Sequence, residues 1–161
     1  MKAFIIICII YYIINIIICE DNYFIRINNV DYSFELKNNE VANQLKAKLP
    51  FTIKMTNLNN NEVYHKFDDD FKKNEKSVGT INIGDIHLYK SDTLVLFYKS
   101  FQTSYSYTEI GKLKNTTNLE NNIGSKDVIV QWCLNTCTDS ISFISFIKIN
   151  YLLLILIFIL F

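Results

Sequence analysis

Two apolar runs bracket this chain and confine whatever folds to the residues between them. The first, Ala3 to Ile18, is 16 residues long, follows Lys2, and gives way to Cys19 and the acidic pair Glu20 and Asp21. A spanning helix needs ~20 apolar residues, so this length and the internal Asn15 favour a cleaved signal peptide over residues 1–19 rather than an uncleaved anchor. The second, Ile141 to Phe161, has 21 residues and would reach ~31 Å as a helix. Lys148 and Asn150 interrupt it, and a Lys near a helix centre costs roughly 2.5–3.5 kcal/mol on insertion. Counted from Ile149, the tail of residues 149–161 reaches only ~20 Å. A small-residue site at Thr138, Asp139 and Ser140, a spacer over residues 135–148 and that terminal tail fit a glycosylphosphatidylinositol (GPI) attachment signal. The alternative is a membrane helix over residues 141–161. Either reading predicts a protein of the secretory pathway, anchored to a membrane at the cell surface.

Residues 20–134 then form one domain of ordinary size. The chain has 16 Lys and Arg against 16 Asp and Glu; setting aside Lys2 and Lys148 leaves the segment 20–139 with 14 against 16, a charge of −2. No basic face argues for a nucleic-acid partner. Asn, Ile, Lys, Tyr and Phe, all with A/T-rich codons, dominate the composition, and the runs Asn59 to Asn61 and Asn121–Asn122 are read as that bias. A single proline, Pro50, excludes a Pro-rich stalk.

The period of the domain is mostly two. Tyr23, Ile25 and Ile27 alternate with Phe24, Arg26 and Asn28, and after a turn at Asn28–Asn29 the pattern resumes through Tyr32, Phe34 and Leu36, which predicts a β-hairpin. Asn39 is placed to cap a helix with the stripe Val41, Leu45 and Leu49, Glu40 in its first turn, Lys46 and Lys48 in its last, and Pro50 as its stop. Further strands are expected over 51–56, 63–67, 81–89, 93–98, 109–113 and 127–132, with a helical turn over 117–122 ended by Gly124. Gly84 and Gly111 are expected to permit tight backbone turns. The fold class predicted is mainly β, a small closed barrel with one or two short helices, plus hydrophobic helices at the termini.

The stretches Gly84-Asp85-Ile86, Leu94 to Tyr98 and Ser104 to Leu113 resemble the small cyclophilin-like proteins best known from bacteria. Upstream the likeness continues through the hairpin, the helix ending at Leu49-Pro50-Phe51 and the strand opening Glu62-Val63-Tyr64, and it closes with Gly124 to Val128. It spans about residues 23–132 and implies a cyclophilin-type barrel of about eight strands. It implies little about activity, because that family has no settled one. Prolyl-isomerase cyclophilins carry a Phe-His-Arg segment on the barrel face; here the one arginine, Arg26, has no neighbouring His, and so that role is not carried over.

Candidate chemistry is sparse. His65 and His87, the two histidines, lack zinc-ligand spacing, and Asp68, Asp69, Asp70 and Glu75 lack the glycine and spacing of a calcium loop, so no metal or cofactor is predicted. No nucleophile elbow or phosphate-binding loop is present. Tyr98, Phe101, Gln102, Tyr105 and Tyr107 are the candidates for a groove taking a small-molecule or peptide ligand, with loop anchoring as the plainer explanation. Asn115-Thr116-Thr117 is an N-glycosylation sequon. Cys133 and Cys137 remain after signal cleavage and are expected to pair in an oxidising lumen, unless they sit on a continuous helix leading to the membrane. Attachment of a lipid anchor at Thr138 keeps both cysteines, whereas attachment at Asn135 discards Cys137. The reading that follows is a membrane-tethered binding module without identifiable catalytic residues; the alternative is a divergent peptidyl-prolyl isomerase.

Overall fold

The computed structural model describes residues 22–135 and Cys137; the two apolar runs, with the helices expected there, and Thr138 lie outside the described residues. Strands β1 (Tyr23–Ile27) and β2 (Val30–Leu36) form the predicted hairpin. Its turn residues Asn28 and Asn29 have φ of 48° and 65°, the left-handed pair that a two-residue turn of matching twist requires and that Asn tolerates. Helix α1 (Glu40–Lys48) starts where Asn39 accepts the Ala42 N–H at 2.9 Å, and it turns Val41, Ala42 and Leu45 inward. After it come β3 (Phe51–Leu58), β4 (Glu62–Lys66), β5 (Lys76–Ser77), β6 (Thr80–Ile81), β7 (Asp85–Tyr89), β8 (Thr93–Phe97), β9 (Phe101–Gln102) and β10 (Ser106–Leu113). Helix α2 (Leu119–Ile123) and β11 (Val128–Leu134) complete the domain.

Eight of these strands close into an antiparallel barrel in the order β2-β1-β11-β3-β4-β8-β7-β10, and β10 returns to β2 from Gly111 opposite Leu36 to Leu113 opposite Phe34. Closure leaves this sheet without a free edge along the seam. The three two-residue strands lie outside the ring: β5 pairs with the start of β10, and β6 pairs with β9. Inward residues alternate with outward ones, and Ile25, Ile27, Phe34, Leu45, Ile86, Leu88, Leu94, Leu96, Ile110 and Val130 fill the interior. Trp132, with no exposed surface, stacks on Phe51 at 5.7 Å and meets Phe34 edge-on at 5.5 Å.

Three expectations change. The strand expected over 81–89 is broken at Gly84, whose φ of 90° and close approach to Thr116 leave no room for a side chain. Gly111 does not make a turn. It lies within β10 at the barrel seam, where a Cβ would strike the carbonyl oxygen of Glu35, so its role is close strand approach. The asparagine runs are more than composition. Asn59 and Asn60 adopt φ of 53° and 55° in the β3–β4 turn, and Asn122 Nδ2 donates to the Ile27 carbonyl at 2.9 Å and to the Tyr32 hydroxyl at 3.1 Å.

Candidate functional site

Strand alternation that sends Ile86 and Leu88 into the barrel sends His87 and Tyr89 out, and on β8 it sends Val95 and Phe97 out. These outward residues are not solvated. Ile81 on β6, Phe101 on β9 and Tyr107 on β10 cover them and make a second, aromatic layer on the outer wall. Phe97 is its centre, with ring centroids 5.6 Å from His87, 5.6 Å from Tyr107 and 5.7 Å from Phe101. Tyr89 stands 5.7 Å from Tyr107 and 6.0 Å from Tyr105. Glu62, one residue before the inward Val63 and opposite Phe97 in the β4–β8 register, is buried on the same outer side.

This layer therefore encloses three titratable groups. Burial raises the Glu62 carboxyl to about 7. Burial first, and then the nearby Glu62, push the Tyr107 phenol up to about 12. Burial lowers His87, with Asp85 and Glu109 opposing the shift, and its Nδ1 has no hydrogen-bond partner among the described residues. Taking charged groups out of water favours their neutral forms, so Tyr107 and His87 are held neutral near pH 7 while the Glu62 carboxyl changes charge there, among aromatic rings.

Tyr107 also reaches an adjoining cleft of about 390 Å³ at the start of α1. Three of its four lysines are matched by carboxylates: Lys37 with Glu109 at 3.2 Å, Lys72 with Glu40 at 2.7 Å, and Lys73 with Glu75 at 3.2 Å, whereas Lys76 has no ion-pair partner among the described residues. The Thr108 hydroxyl accepts the Asn74 N–H at 2.8 Å and ties the cleft wall to β10.

The five groove candidates are parted by the barrel wall. Tyr98 points into the interior core and its hydroxyl accepts from Asn57 Nδ2 at 2.8 Å. Phe101 and Tyr107 pack in the outer layer, whereas Tyr105 is 62% exposed and Gln102 lies at the surface with Nε2 donating to the Thr80 hydroxyl. They share no single groove. His65 has the parity of inward Val63 and rests against Phe67 at 4.9 Å, while His87 faces outward. Two aspartates of the acidic loop make structural contacts, Asp69 to Lys48 at 2.8 Å and Asp70 to the Ser91 hydroxyl at 2.7 Å, while Asp68 is exposed. Arg26 forms a paired bond with Asp31 at 2.6 and 2.8 Å on the hairpin, away from the outer layer. Asn115 is exposed and its Oδ1 accepts both the N–H and the hydroxyl of Thr117 at 2.8 and 2.7 Å. Cys133, in β11, is joined to Cys137 by a disulfide with Cα atoms 5.2 Å apart, and Asn135 is bonded to Asn22.

Glu62 and His87 escaped the sequence reading as site residues because their surroundings come from other strands, Phe97 and Tyr107 around His87 and Phe97 opposite Glu62, and no local period reports that packing. The available signal was slight: each sits where alternation sends a residue outward, beside aromatic positions. A search of curated proteins returns no match. The model of the cyclophilin-like family matches residues 25–132, the barrel from β1 to β11. With that match covering most of the chain, and with the eight strands closed in one antiparallel ring, the chain belongs to the cyclophilin-like family.

Proposed function

We propose that this chain is a cyclophilin-like binding module, displayed in the lumen or outside the cell and tethered to a membrane through its C-terminal side. The observation that carries the binding reading is the outer layer: Glu62, His87 and Tyr107 are all driven toward neutrality by burial, among aromatic rings. A twisted prolyl amide needs a fixed polarising donor. The one guanidinium in the chain is held by Asp31 on β1 and β2, outside the strands that build this layer.

The compartment is supported by the Cys133–Cys137 bridge, since such bonds persist in oxidising surroundings. It is supported again by the sequon, where the Thr117 bonds to Asn115 Oδ1 leave the amide nitrogen without a partner among the described residues. Among the described residues no helix is long and apolar enough to cross a membrane, and the tether is assigned to the terminal tail.

A proline-peptide isomerisation assay tests the function. The expected result is no acceleration over background; clear acceleration overturns the binding-only reading in favour of a divergent isomerase. Release from cells by phosphatidylinositol-specific phospholipase C is expected for a GPI anchor, and retention with the complete C-terminal peptide establishes the helix over 141–161 instead.

A further inference from the structure

The two ends of the barrel lie side by side. Asn135 N–H donates to the Asn22 carbonyl at 2.6 Å, and Asn22 N–H donates to Asn135 Oδ1 at 3.1 Å. Beyond Asn135 the chain folds back. Cys137 is 2% exposed, bonded to Cys133, and its sulfur lies 3.9 Å from the Phe24 carbonyl oxygen. Counted from this staple, only residues 138–140 precede the apolar run at Ile141, at most ~10 Å of extended chain.

The same pole gathers α1, the segment 67–72 and the turn 90–92. The Lys46 ammonium lies 5.7 Å from the Tyr23 ring, and Lys48 holds Asp69 at 2.8 Å. Phe67 N–H donates to the Asp92 carbonyl at 2.8 Å, and Phe71 N–H donates to Ser91 at 2.6 Å. The other pole carries the hairpin turn, the β3–β4 turn and the loop 114–127. Asn28 Nδ2 donates to the Asn122 carbonyl at 2.7 Å, Tyr98 N–H to the Asn61 carbonyl at 3.0 Å, and Lys99 pairs with Glu120 at 3.1 Å. The seven residues of β11, ~23 Å of strand, run from one pole to the other.

We infer that the pole formed by Asn22, Asn135 and α1 faces the lipid bilayer, and that the pole bearing the Asn115 sequon faces away from it. The inference rests on the membrane-tether reading. It holds for a lipid anchor at Thr138 and for a helix over 141–161, because either attaches within the same short spacer. The bridge sets the standoff: with Asn135 still held by Asn22, opening it adds residues 136–137 to the spacer and lengthens its reach to ~17 Å. The near pole also presents Lys46, Tyr23 and the 36% exposed Leu134, residue types suited to the headgroup region.

The test uses the mature membrane form, purified from cells and reconstituted into phosphatidylcholine vesicles containing nitroxide-headgroup lipid. A fluorophore is placed at Ala47→Cys on α1 or at Ser125→Cys in the far loop, both exposed positions. The Ala47→Cys label is expected to lose roughly half its fluorescence, and the Ser125→Cys label, about one strand length farther out, roughly a tenth. Equal or reversed quenching in protein that floats with the vesicles overturns the orientation while leaving the tether standing. Protein that does not float with vesicles overturns the tether and the orientation together.

Discussion

The barrel wall formed by β7 and β8 buries apolar side chains on both of its faces, by different means. Inside, Ile86, Leu88, Leu94 and Leu96 meet aliphatic and aromatic neighbours in a space sealed by eight strands. Outside, Val95 and Phe97 are covered by β6 and β9, a pair of two-residue strands, and His87 packs against Phe97 and Tyr107. The inner face has its cover guaranteed by ring closure. The outer face has a thin cover, with few backbone hydrogen bonds to hold it, and it admits an imidazole and a carboxyl. Regions held by few contacts open locally at lower free energy than the global transition, so the outer layer is expected to open before the interior does.

The largest effect is expected inside. Trp132→Ala removes a fully buried indole from between Phe51 and Phe34 and should cost about 3–5 kcal/mol, read as a lower urea midpoint. Trp132→Phe should cost far less, because Nε1 of Trp132 has no partner among the described residues and a phenyl ring leaves no buried donor unpaired. If both substitutions cost the same, the indole is held by a bond the packing argument omits.

Next comes the seam. Gly111→Ala drives a methyl group against the Glu35 backbone carbonyl, which cannot swing aside as a side chain can, and about 1–3 kcal/mol of destabilisation is expected. A neutral result would show that β10 and β2 part without loss, and that the ring is less closed than the register of Gly111 with Leu36 implies.

The inner face was legible in the sequence and the outer face was not. Alternation through Tyr23 to Leu36, the Asn39 cap and the Leu49-Pro50-Phe51 stop all describe local chemistry, and each stands where the residues placed it. The cover of the outer layer depends instead on long-range pairing of very short strands, Thr80 with Gln102 and Ser106 with Ser77, which leave no period to read. The tyrosine-rich stretch near Gln102 was visible as a group, yet burial within it is uneven. Tyr107 sits in a strand, where pairing with β5 and β7 fixes its direction, and Tyr105 sits just before that strand begins. The glycines were ambiguous for a related reason: a left-handed turn and a close strand approach both require Gly, and only the fold distinguishes Gly84 from Gly111.

The tyrosines allow the outer layer to be probed by adjacent substitutions. Tyr107, 5% exposed and in contact with Phe97, His87 and Tyr89, should cost about 3 kcal/mol on change to Ala. Tyr105→Ala, at 62% exposure, should shift stability by less than about 0.5 kcal/mol. Thermal melts of the two variants decide it, and equal losses would show that the layer extends over Tyr105 as well.

The last test separates the two titratable groups of the outer layer by the opposite signs of their pH dependence. Glu62 rises from 4.5 to about 7 in the folded protein, so between those values the native state holds a proton that the unfolded chain releases. Its contribution is complete at acid pH and fades as pH climbs through about 7, a change on the order of 1–2 kcal/mol after discounting for the solvent that reaches a partly buried carboxyl. His87 is lowered from 6.5 by burial, so its contribution is complete above that value and fades as pH falls below it. In the wild-type protein the two slopes oppose each other between pH 5 and about 6.5. Glu62→Gln should leave the histidine slope alone, with stability rising over that interval and no decline toward pH 8. His87→Gln should leave the carboxyl slope alone, with stability falling from pH 5 and levelling off above about 7. Urea midpoints measured across this range for the three proteins read the slopes directly, independent of any constant offset from repacking. Three parallel curves would mean that water already reaches both groups, and that the inner and outer faces of the wall differ only in which residues they hold.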